Sequence, residues 1–175
     1  MVKRYSFPSI FLHWFMLCLL VAVYSTMELR GIFPKGSASY NDMKTWHYML
    51  GLTVFILVWI RLIAHFVGKT PEVIPTPVVW QVKTSKVVFG AFYVLMIGMP
   101  LVGWLILSFG GKIIPYFGFE LPALAGPNEN MKDTAKEIHE IAATVGYFLV
   151  GIHASAALFH HCIVKDNTVK RMWRG

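Results

Sequence analysis

The sequence predicts an all-α membrane protein, a four-transmembrane-helix up-down bundle with both termini cytoplasmic, forming one domain over residues 1–175. Three observations carry this. Four apolar runs are each long enough to cross a bilayer, since roughly 20 residues at 1.5 Å rise span a ~30 Å hydrocarbon core. Only 14% of the 175 residues are charged and 56% are hydrophobic, against about 25% charged in a soluble domain. Lysine and arginine are also shared unequally between two sets of loops.

The spans run approximately Pro8–Met27, Tyr48–Val67, Val87–Phe109 and Ile138–His161. The first is too long for a cleaved signal peptide, carries His13 and Trp14 early, and is followed by no small-residue cleavage site. Gly31–Asn41 is rich in Gly, Ser and Pro, and Pro71–Pro77 holds three prolines. Gly110–Asn130, with three prolines and four glycines, is long enough to hold a short surface helix over the bundle.

Orientation follows from the basic residues. The N-terminus, second loop and C-terminal tail hold ten Lys and Arg, including Lys3, Lys83, Lys165 and Arg174, against the two acids Glu72 and Asp166. The first and third loops hold six against seven acids. The positive-inside rule therefore places both termini in the cytoplasm. Because the basic residues lie beside apolar spans, the net charge of +7 signals topology rather than nucleic-acid binding. Cys18 and Cys162 lie in or at the end of apolar runs and suit thiols immersed in a membrane rather than a disulfide framework.

All seven histidines fall in or at the ends of spans one, two and four. An ionisable group at membrane depth is costly, so each is a candidate functional group. His13 lies about 8 Å and His153 about 12 Å from the cytoplasmic boundary at 1.5 Å per residue. The two are level. His47 and His139 begin spans two and four at the outer boundary and form a second level pair. His153 follows His139 by 14 residues, which places both on one face of the last helix, about 21 Å apart.

This pattern suits two haems stacked across the membrane, His13 and His153 holding the inner iron, His47 and His139 the outer. A coordinating imidazole must offer an unprotonated nitrogen. No CxxCH motif occurs, so the haems are b-type. Zinc or another transition metal is the competing reading, because imidazole suits several metals, although only Cys18 stands near the inner pair as a further ligand. Hydrogen bonding to a neighbouring helix is the bland reading for any single histidine. Arg61 could snorkel to headgroups or pair with an inner haem propionate. His65, His160 and His161, at the inner boundary, could contact propionates, move protons or meet lipid headgroups.

The chain resembles the bacterial cytochrome b561 family of small di-haem inner-membrane proteins over essentially its whole length. The resemblance rests on Phe11-Leu12-His13-Trp14, Met27-Glu28-Leu29-Arg30-Gly31, Trp46-His47, Trp59-Ile60-Arg61-Leu62 and Lys136-Glu137-Ile138-His139-Glu140. Its most specific part is Gly146-Tyr147-Phe148, Gly151-Ile152-His153-Ala154, His160-His161 and Lys165-Asp166-Asn167-Thr168. Within the family the chain looks close to the superoxide oxidase type. The resemblance implies the same four histidine ligands, superoxide or another one-electron donor on the periplasmic side, and ubiquinone as acceptor near the cytoplasmic side. It also implies His160 as a quinone contact. Membrane lipid is the remaining partner; no residue is assigned as catalytic. The alternative function is a non-enzymatic cytochrome b subunit that docks on a partner redox enzyme, with the third loop as docking face.

Overall fold

The computed structural model describes residues 4–173, so Lys3 and Arg174 of the charge count lie outside the described residues. Four long helices, α1 (Phe7–Leu29), α2 (Ala38–Val67), α3 (Val79–Phe109) and α4 (Glu129–Phe159), are joined by loops and one small hairpin. All four are long and apolar enough to cross a membrane. Their outward faces are strongly apolar, with Phe66, Val67, Val94 and Phe148 among the most exposed side chains. In hydrocarbon such faces cost nothing, because helices satisfy their own backbone polar groups and need no water.

Three helices begin eight to ten residues before their apolar runs. Hydropathy marks only the hydrocarbon-crossing part of a helix, whereas backbone hydrogen bonding continues through polar turns until a cap. Ser37 caps α2 by accepting from the Tyr40 amide at 3.2 Å, and Asn128 caps α4 by accepting from the Met131 amide at 3.1 Å. His47 and His139 consequently lie inside helices, not at their starts. The last helix stops at Phe159 and continues as a π turn over His160–Val164.

The third loop holds a hairpin in place of a surface helix. Strands β1 (Ile114–Tyr116) and β2 (Phe119–Leu121) pair antiparallel, with Tyr116 opposite Phe119. The two turn residues, Phe117 at φ 46° and Gly118 at φ 90°, both occupy the left-handed region that two-residue hairpins require. Phenylalanine rarely adopts it, so the sequence carries no hairpin signature there.

Close helix packing runs α1 on α2, α2 on α3 and α3 on α4. Met16, Leu19, Val54, Val58 and Met96 form one core across the first three helices. Leu52, Leu107 and Ile114 form a second core under the hairpin. α4 joins neither; its only buried residues are Ala135 and Gly146. It meets α1 through polar and aromatic groups instead. Tyr24 donates to the Ala143 carbonyl at 3.0 Å and stacks edge-on with Tyr147 at 4.4 Å, while Tyr147 donates to Glu28 at 2.7 Å. Gly146 permits this seam, since a Cβ there would collide with the Tyr24 hydroxyl. Both cysteines are free and exposed at the bundle surface.

Candidate functional site

The end of the bundle that carries both termini is termed inner. There, His13 of α1 faces His153 of α4 with ring centroids 6.2 Å apart and planes at 67°. Phe92 and Phe89 of α3 pack on His153 at 5.4 and 6.1 Å. Nη2 of Arg61, on α2, lies 3.0 Å from Nδ1 of His13. A guanidinium only donates, so Nδ1 accepts and the proton of the neutral ring sits on Nε2. Binding a metal through Nε2 therefore requires Arg61 to release Nδ1, which frees its planar fork for a carboxylate.

At the outer level, His47 of α2 faces His139 of α4 at 6.1 Å and 75°. Here the polarity is opposite. Nδ1 of His47 lies 3.1 Å from the Val23 carbonyl, which only accepts, so Nδ1 carries the proton and Nε2 keeps its lone pair. Orienting hydrogen bonds of this kind accompany metal-ligating histidines almost everywhere. Nδ1 of His139 is buried without a well-formed hydrogen bond, its associated acceptor being the Met99 carbonyl. A cavity of about 310 Å³ separates the helices at this level, walled by both rings and by Tyr24, Gly51, Met96 and Gly103. Gly103 lets the imidazole lie against α3, since a Cβ there would stand 3.4 Å from Cε1 of His139.

The two ring separations are a geometric test of the metal reading. Two imidazole nitrogens each about 2 Å from one ion, with a ring radius of about 1 Å on either side, put the centroids about 6 Å apart. Both pairs match. Among the described residues no group of three or more His, Cys, Asp and Glu converges on one point. Among the described residues each level thus offers two facing imidazoles and no third His, Cys, Asp or Glu, a donor set that would suit a haem iron better than tetrahedral zinc.

The remaining candidates lie at the inner end. His65 is exposed beside Phe66 and Tyr93, and His161 is exposed. Nδ1 of His160 is 2.5 Å from Oδ2 of Asp166, a carboxylate that is itself buried. Burial raises the Asp166 pKa, but the Thr168 amide and His160 more than offset it and hold it below 3.8. Asp166 begins a tail that clasps the bundle. Asn167 exchanges hydrogen bonds with the backbone of Glu72 and Ile74, Arg171 donates to the Pro71 carbonyl, and Trp14 donates to the Met172 carbonyl at 2.8 Å. Sequence reasoning missed the Asp166 contact; its only local signal is an acid placed directly after an apolar span.

Comparison with known proteins gives the arrangement its context. Residues 4–175 match the family model described as prokaryotic cytochrome b561. "Cytochrome b561 homolog 1" of Escherichia coli strain K12 is 40% identical over 171 residues, covering 98% of this chain and 97% of that protein. "Probable superoxide oxidase CybB" of Yersinia pestis is 36% identical over 173 residues, covering 98% and 97%. "Cytochrome b561 homolog 2" of Escherichia coli strain K12 is 25% identical over 171 residues, covering 97% and 91%. With its four membrane-spanning helices, the chain belongs to the prokaryotic cytochrome b561 family of electron-transferring membrane cytochromes b.

Proposed function

We propose that residues 1–175 form a single di-haem b domain of the bacterial inner membrane, both termini cytoplasmic, that moves electrons from periplasmic superoxide to ubiquinone. The observation that carries this reading is the pair of opposed imidazoles at two heights, with centroids 6.2 and 6.1 Å apart. Haem b, when bound, supplies one-electron storage at each height. The protein's part is to grip and orient it. His47 and His139 hold the outer group, with the Val23 carbonyl setting the His47 tautomer; His13 and His153 hold the inner group, with Arg61 available to a propionate. The name of the Yersinia pestis relative supports superoxide as donor, and the imbalance of Lys and Arg supports the orientation.

The chemistry balances as two superoxide ions giving one electron each, so that two superoxide ions, one quinone and two protons yield two O2 and one quinol. His160, at the inner end, is the group assigned to the quinone. The purified chain tests the reading directly. Its absorbance should change on dithionite reduction, haem should quantify at two per chain, and superoxide should drive quinone reduction by the chain alone. A cytochrome that stays inert until another redox protein is added would instead identify a docking subunit.

A further inference from the structure

At the inner end of α4 the chain doubles back on itself. The π turn over His160–Val164 closes with the Lys165 amide bonding the His160 carbonyl, and Lys165 itself adopts φ 57°. The Asp166 amide bonds the same carbonyl at 3.2 Å. This reversal returns the Asp166 side chain to His160, where Oδ2 lies 2.5 Å from Nδ1 while Oδ1 accepts the Thr168 amide at 2.8 Å. The carboxylate is 2% exposed and the imidazole 18%. Asn167 and Arg171 fasten the following residues to the 71–74 loop, so the carboxylate cannot drift from the ring.

An ionised carboxylate only accepts, so Nδ1 of His160 carries the proton and Nε2 is left to exchange one. A buried carboxylate in this position holds an imidazole in one tautomer and stabilises the imidazolium when Nε2 is also protonated. His160 follows His153 by seven residues, which is nearly two turns and about 10 Å along the same face. A proton-exchanging group thus stands just beyond the inner histidine pair. That is where an acceptor of two electrons and two protons needs one.

We infer that Asp166 is a positioning residue that fixes His160 for proton delivery to the quinone, an inference that rests on the quinone reading above. For each electron the quinone takes from the one-electron donor through the protein, the Nε2–H bond of a His160 imidazolium breaks and a quinone O–H bond forms, two protons in all. Nε2 then regains a proton from water, while the Nδ1 proton stays on the ring toward Asp166.

The test uses the purified haem-loaded chain, reduced with dithionite and mixed with a short-chain ubiquinone. Asp166→Asn replaces the acceptor with an amide that can donate to Nδ1 and so favour the opposite tautomer. Haem content should be unchanged, while the maximal rate of reoxidation falls about 10- to 100-fold, less than the roughly 10²–10⁴-fold of a whole general acid because His160 itself remains. The quinone concentration at half-maximal rate should be unchanged, and inorganic phosphate added as a diffusible proton donor should restore part of the variant's rate. An Asp166→Asn rate equal to that of the parent would overturn the inference while leaving the quinone reading intact. Failure of the parent itself to be reoxidised by quinone would remove both. If Asp166→Asn does not fold, 15N NMR of the parent decides: a proton on His160 Nδ1 supports the inference, and a neutral ring protonated only on Nε2 overturns it.

Discussion

Arg61 stands 3.0 Å from Nδ1 of His13, whereas the matching nitrogen of His47 faces the Val23 carbonyl at 3.1 Å. One imidazole pair therefore sits beside a cation and the other beside the negative end of a backbone dipole. Glu28 and Glu140 line the outer cavity as well. A cation favours the reduced, less positive state of a neighbouring centre. Arg61→Gln should thus lower the midpoint potential of the inner centre, by about 60 mV if the equilibrium constant falls tenfold. An optical redox titration of parent and variant reads this, and a raised or unmoved midpoint would contradict it.

The pairing of histidines makes a sharper statement about stoichiometry. His139→Ala should leave one haem per chain, held at the inner level, and His153→Ala should leave one at the outer level. Extraction and quantitation of haem against protein measures both. Two haems retained in both variants would refute the assignment.

Two glycines separate the need for cavity space from the need for a close approach. A Cβ at Gly51 would meet nothing within 4 Å, although the residue lines the outer cavity. Gly51→Phe is expected to preserve folding while lowering outer haem occupancy. Gly103→Val pushes instead on His139, and overpacking of this kind costs about 1–3 kcal/mol. It should lower both outer occupancy and thermal stability, read by haem content and melting temperature in detergent.

The α1–α4 seam is held by side chains rather than by a shared apolar core. Tyr24→Phe removes the hydrogen bond to the Ala143 carbonyl and should cost about 0.5–1.5 kcal/mol. Gly146→Ala, which forces the Tyr24 ring away, should cost more. Thermal unfolding of the two variants checks the order; a reversed order would show that the seam relaxes freely.

Much of this architecture is legible in the sequence. A rise of 1.5 Å per residue is enough to decide which histidines share a height, and the structure brings together the same pairs, His13 with His153 and His47 with His139. Helix starts were less legible, because the caps at Ser37 and Asn128 lie in polar segments where hydropathy is silent. The hairpin was hidden by a phenylalanine in a left-handed turn position.

The number of membrane crossings and the two levels of imidazole are properties of the sequence alone. They depend only on the lengths of apolar runs and on the regular rise of a helix. Tertiary structure decided which atom faces which: Arg61 on His13, Val23 on His47 and Asp166 on His160. Those contacts join residues from separate helices, or from the two sides of a chain reversal. Their geometry is set by packing and backbone turns, and no local periodicity encodes it.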